Sequence, residues 1–216
     1  MCDVHCVLIT KSLMKNFQEK YDEYTTNISH KGAAISLETV ILLCEICENF
    51  IKSQESQIWV DTGSGFSSYV LRFISREFKT ISVYSFDDNQ EWLQKTIDFC
   101  KKNDVSTENI LLWDDTHVQK LKEQCTVIFH DLGNRKLRSK TIASVIEMLK
   151  NDGIIIFDDM HKGDLKSKIE KCVENAKLEF FDLEETKTKT IDEFGRWVAV
   201  AKLELKHLDQ PTTFSS

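Results

Sequence analysis

Apolar positions in this chain recur first at helical spacing and then in short unbroken runs. Residues 11–28 hold a polar helix candidate that carries aromatics, KNFQEKYDEYTTN. The stretch after it repeats its apolar residues every three to four positions as far as about residue 53, and Ser36 stands where a helix cap belongs. From residue 58 the pattern changes. Apolar runs at 58–60, 81–86, 110–113, 126–129 and 154–157 predict strands. Helical patterns at 69–76, around 91–102, near 140–149 and near 165–176 lie between or after them. Two last strands, 178–183 and 197–205, have no helical pattern between them. Continuous apolar strands separated by helices predict a mostly parallel sheet covered on both faces. The final pair predicts an antiparallel hairpin.

Composition narrows the setting. A chain of 216 residues suits one domain with a sizeable core. A net charge of −7 argues against a general nucleic-acid binder, which needs a basic excess. Lys162, Lys166, Lys168 and Lys171 read as a solvated helix face. No apolar run is long enough to span a bilayer, and the N-terminus lacks a basic leader and a cleavage site, so a cytoplasmic protein without a membrane partner is expected. The seven cysteines are odd in number and scattered, as free thiols in a reducing compartment are. Cys44 and Cys47 form a C-x-x-C, but on one helix face and with no second pair at zinc spacing, so buried thiols are expected. The tail 206–216 reads as frayed.

The most informative segment is 58–68, IWVDTGSGFSS. A strand ending in a glycine turn before a helix lets a ligand approach bare backbone. Asp61, two residues before Gly63, would repel a pyrophosphate and attract an ammonium group. This D-x-G-x-G resembles the first motif of class I S-adenosylmethionine (SAM) methyltransferases. Residues 36–205, with their strand order and terminal hairpin, resemble that family throughout. The resemblance implies an α/β, Rossmann-like, seven-stranded mostly parallel sheet with helices on both faces. It implies that residues 1–35 are an N-terminal helical addition covering the substrate site, and that Asp61, Thr62, Gly63, Ser64 and Gly65 belong to the SAM site.

Acids follow at each later strand end. Asp87 lies 26 residues after Asp61, where the family's ribose-binding acid stands, and Asp88 beside it is an adenine neighbour or a helix cap. Asp114 and Asp115 both qualify as the third-strand acid near the adenine, with Trp113 as a wall or as core. Asp131 ends the fourth strand, and Asp158 and Asp159 end the fifth, so all three are expected at one crevice. Three carboxylates together need a positive partner. A divalent cation such as Mg²⁺ meets that need, and the set resembles the metal-dependent O-methyltransferases, where such acids hold Mg²⁺. In that resemblance Asp131, Asp158 and Asp159 ligate the metal, Asp131 also serves the donor and the reaction, and the acceptor is a small molecule whose hydroxyl is methylated. The same acids also stand in metal-free relatives. His161 is a candidate general base or fourth ligand, whereas His130 is expected on the opposite face. Arg135, Lys136 and Lys162 either orient an anionic substrate or face solvent. Two other functions stay open: a nicotinamide-dinucleotide oxidoreductase, although Ser68 replaces the third glycine, and a non-catalytic SAM-binding partner protein. Monomer and homo-oligomer are equally compatible with the sequence.

Overall fold

The computed structural model describes residues 11–53 and 55–203. The chain runs α1 (Lys11–Asn27), α2 (Leu37–Ile51), β1 (Gln57–Thr62), α3 (Phe66–Ser75), β2 (Ile81–Asp87), α4 (Gln90–Lys102) and β3 (Ile110–Leu112). It continues α5 (Asp115–Leu121), β4 (Cys125–His130), α6 (Arg135–Ile146), β5 (Leu149–Phe157), α7 (Gly163–Ala176), β6 (Leu178–Phe180), α8 (Leu183–Thr190) and β7 (Ala199–Leu203). The seven strands lie in the order β3-β2-β1-β4-β5-β7-β6. All pair in parallel except β7, which runs antiparallel to both β5 and β6. This is a Rossmann-like α/β fold. The chain winds outward in both directions from β1 and β4, so a crevice opens at their carboxyl ends.

Alternation along the strands feeds two cores. Trp59, Val127, Phe129, Ile156 and Val200 face α1 to α4. Val60, Ile128, Ile155, Phe157 and Ala201 face α5, α6 and α7. Their immediate neighbours point oppositely, as period two requires. Ser36 caps α2 as expected, its side chain accepting from Thr39 N at 3.1 Å. Cys44, Cys47, Cys100 and Cys125 are buried free thiols and Cys172 is a half-buried one, while Cys2 and Cys6 lie outside the described residues, as does the tail 206–216. No helix among the described residues is long and apolar enough to cross a membrane.

The final antiparallel pair is present, but it is not a bare turn. Helix α8 lies between β6 and β7. Its sequence, LEETKTKT, buries Thr186 and Thr190 rather than apolar residues, so no hydrophobic period marks it. Asp182 starts it by accepting from Glu184 N and Glu185 N at 3.0 and 2.9 Å. Helix α6 begins at Arg135, five residues before the expected start, because Asn134 caps it by accepting from Lys136 N and Leu137 N. That shift decides how the acidic crevice is neutralised.

Candidate functional site

The turn after β1 is locked from within. Gly63 has φ +95°, and its amide and that of Ser64 both donate to Phe86 O, at 2.7 and 3.1 Å. Gly65 N donates to Ser68 Oγ at 3.1 Å. Asp61 is fully buried beneath the turn and accepts from Ser67 Oγ at 3.0 Å and from Ser68 Oγ. Burial lifts its carboxyl to about 7 against the pull of the serines. Asp61 therefore anchors the turn and is not part of the cleft wall. Thr62 is also buried, its hydroxyl 2.7 Å from His130 Nδ1.

Gly63, Ser64, Gly65 and Asp87 do meet at one cleft of about 580 Å³. Asp87 Oδ1 accepts from Asn89 N at 3.0 Å and Oδ2 from Ser64 Oγ at 3.3 Å. Burial raises this carboxyl to about 6. Asp88 packs against the β4 loop, where a Cβ at Gly133 would fall 2.6 Å from its Oδ1. Asp114 caps α5, accepting from Thr116 N at 2.8 Å, which holds it below the ordinary carboxylate range. Asp115 is exposed in the first turn of that helix. Neither of the last two reaches the cleft. Trp113 packs edge-on against Phe86, so it belongs to the core side of β3. Trp92, which sequence reasoning did not single out, covers the turn by donating from Nε1 to Ser64 O at 2.5 Å.

Across the cleft stand Asp131, Asp158 and Asp159, brought together as their strand ends require. The positive group among them is Arg138, which the sequence reading passed over for Arg135 and Lys136. Its Nη2 pairs with the Asp131 carboxylate, and its Nη1 lies 2.5 Å from Asp159 Oδ2. Nη2 also donates to the carbonyls of Asp131 and Gly133, each at 3.1 Å. Lys162 Nζ pairs with Asp159 as well, and His161 Nδ1 stands 3.6 Å from Asp159 Oδ1. Arg138 and Lys162 thereby hold Asp159 below its usual range despite burial. Burial drives Asp131 and Asp158 upward, with neighbouring carboxylates adding to it. Arg135 instead makes an exposed pair with Asp164. A metal does not fit this donor set. Asp131 and Asp159 are engaged by a guanidinium and an ammonium, and no three His, Cys, Asp or Glu side chains among the described residues converge as ligands. The start of α6 is the signal that finds Arg138: counted from Asn134, it shares the inner face with Ile142 and Val145.

His130 lies under α6, away from the cleft, as expected. Its Nε2 is 3.3 Å from Arg138 O, which can only accept, so Nε2 carries the proton and Nδ1 accepts from Thr62. Burial depresses its pKa to about 3. The unfolded chain takes up a proton below about pH 6.5, and the folded chain does so only near 3. Stability due to neutral His130 is thus present above that range and lost as pH falls through it, at about 1.4 kcal/mol per pH unit. Urea unfolding should show His130→Gln losing less stability than the parent between neutral and mildly acid pH. Parallel pH curves for the two would refute the neutral-histidine assignment.

Tyr24, residues 32–35 and Arg196 also line the cleft. Tyr24 of α1 comes close to the glycine turn, its Oη 3.1 Å from where a Gly65 Cβ would sit. Arg196 ties residues 31–34 to the segment before β7. It donates to Ala34 O at 2.9 Å and Lys31 O at 2.8 Å, and pairs with Asp192 at 2.7 Å.

No family model matches the sequence, and no curated relative does. Solved structures do. One is a protein of Corynebacterium glutamicum, 11% identical, covering 94% of each chain with a TM-score of 0.59. Another is a precorrin-6y C5,15-methyltransferase of Geobacter metallireducens, 17% identical over 81% of this chain and 92% of that one, with a TM-score of 0.58. A third is a SAM-dependent O-methyltransferase of Thermotoga maritima, 14% identical over 80% of this chain and 67% of that one, at 0.57. The likeness is one of fold.

Proposed function

We propose that this chain is a SAM-dependent methyltransferase acting on a hydroxyl of a small molecule, without a divalent metal. One observation carries the reading. A single cleft is bounded on one side by the Gly63–Gly65 turn and Asp87, and on the other by His161 beside Asp159. The first side has the groups a nucleoside donor needs, and the second has a base facing it. The fold shared with methyltransferases supports the same assignment.

The donor, when bound, supplies a methyl group on a sulfonium that a nucleophile displaces directly. Asp87 would accept from the ribose hydroxyls, and Gly65 with the start of α3 would leave room for the donor's chain. His161, oriented by Asp159, would take the proton from the acceptor hydroxyl as its oxygen attacks. Tyr24 and the Arg196-tethered segment 31–34 would exclude water and hold the acceptor in line, which is the covering role given to residues 1–35. Asp131 and Asp159 need no metal in this scheme, because Arg138 supplies the charge between them.

A dinucleotide oxidoreductase is the weaker reading. Its pyrophosphate requires free turn amides, and those of Gly63, Ser64 and Gly65 are spent on Phe86 O and Ser68 Oγ. Calorimetric titration should find SAM binding and neither NAD nor NADP. Asp87→Ala should weaken SAM by about tenfold to a hundredfold, as loss of a charged hydrogen-bond acceptor does. Methyl transfer to a panel of hydroxyl compounds should persist in a chelator and fall about a hundredfold or more in His161→Ala. Binding of NAD in preference to SAM would defeat the proposal, and SAM binding without any turnover would favour a partner protein that has lost its chemistry.

A further inference from the structure

The charges of the cleft do not balance in one place. Arg138 is shared between Asp131 and Asp159, and Lys162 also serves Asp159. Arg196 is held by Asp192 and by two backbone carbonyls. Each of these cations makes its direct ion pair with a carboxylate other than Asp158, which Arg138 and Arg196 reach only through space. Asp158 is nevertheless 9% exposed and lines the cleft at the end of β5. Its Oδ1 accepts from Asp159 N at 2.6 Å, while Arg138 and Arg196 act on the carboxylate only through space, with no direct ion pair to it. The backbone fixes this arrangement: Asp158 N donates to His130 O at 3.2 Å, and Asp159 sits in the left-handed region at φ +63°. The carboxylate is therefore built into the wall rather than left to swing into solvent.

We propose that Asp158 is the binding site for a protonated amine on the acceptor, so that the substrate is an amino-bearing hydroxyl compound. This deepens the methyltransferase reading and rests on it. A buried carboxylate with no direct ion pair attracts a cation, and an ammonium in the cleft supplies a charge and a donor in contact with it. The amine held there is protonated, has no lone pair, and is not the atom methylated. The hydroxyl at the other end of the same molecule faces His161. An anionic acceptor is disfavoured, because the cations it would seek are already paired.

Three phenols of nearly equal shape test this: tyramine, a cation; tyrosol, its neutral hydroxyl counterpart; and 4-hydroxyphenylacetate, an anion. Binding to the full chain is measured by calorimetry, with and without S-adenosylhomocysteine. Tyramine should bind at least about tenfold more tightly than tyrosol, and the anion most weakly. Asp158→Asn keeps an oxygen for the Asp159 amide, so it should fold, and it should erase the preference for tyramine while moving tyrosol little. Equal binding of the three, no binding of tyramine, or an unchanged preference in Asp158→Asn would overturn the proposal. So would a loss of SAM affinity in Asp158→Asn equal to the loss of tyramine affinity, since the carboxylate would then serve the donor. The two readings fail separately: a tyramine preference carried by Asp158 in a protein that binds no SAM leaves the amine site standing and removes the transferase.

Discussion

Arg138→Ala should destabilise the protein by about 3–5 kcal/mol, the usual consequence of removing one partner from a buried ion pair. The guanidinium is only 8% exposed, lies between Asp131 and Asp159, and ties both to the carbonyls of Asp131 and Gly133. Without it, three carboxylates share a partly buried wall with Lys162 as the nearest counter-charge. Their pKa values would rise above those of the unfolded chain, so the deficit should be smallest at acid pH, where they are protonated, and grow as pH rises. Arg138→Lys should rescue only part of the loss, because one ammonium cannot bridge two carboxylates with a planar fork. The same variant tests the metal question directly. Parent protein should bind no stoichiometric Mn²⁺ by electron paramagnetic resonance, whereas folded Arg138→Ala, with its acids released, should gain Mn²⁺ affinity. Stoichiometric Mn²⁺ in the parent, lost in Asp159→Asn, would show that the arginine does not take the cation's place.

Arg138 also marks the limit of what the chain discloses before it folds. Carboxylates at the ends of β2, β4 and β5 were legible, because strand and helix alternation fixes which residues share an edge. What neutralises them was not, because that depends on where α6 starts, and a cap at Asn134 is a weaker signal than the apolar period beyond residue 140. The same holds for Asp61. Its place at the end of β1 was clear, but whether it faced a ligand or the serines of α3 depends on side-chain rotation within one turn. Asp114 and Asp115 could not be told apart from ligands by spacing, and α5, only seven residues long, gave no period to reveal the cap. Helix α8 escaped for a different reason: its buried face is threonine. The central strands were clearer, since β1 and β4 are runs of mostly apolar residues that feed both cores, whereas β6 stops at Phe180, short of the expected 183.

Gly63→Ala should be the most damaging of the single-methyl substitutions at the turn, with a loss above about 4 kcal/mol and little soluble protein. The sequence reading took the missing side chain at Gly63 as room for a ligand. The structure gives the space to backbone instead. A Cβ there would lie 2.2 Å from Asp131 O and 2.5 Å from its carbonyl carbon. The residue also holds φ +95°, a region that costs an L-residue about 1–3 kcal/mol by itself. Retreat is blocked, because Asp131 N donates to Thr62 O at 2.7 Å and Asp131 O accepts from Arg138. Two neighbours serve as controls. Gly65 is extended, and its Cβ would meet Tyr24 Oη at 3.1 Å, the end of a side chain that can shift, so Gly65→Ala should fold and alter mainly ligand binding. Gly163 opens α7 with nothing within 4 Å, so Gly163→Ala should be neutral or slightly stabilising. Urea midpoints should therefore fall in the order Gly163→Ala, Gly65→Ala, Gly63→Ala. A Gly63→Ala protein unfolding at the parent midpoint would mean that β1 and β4 are not clamped at this turn, and the cleft wall they form would have to be redrawn.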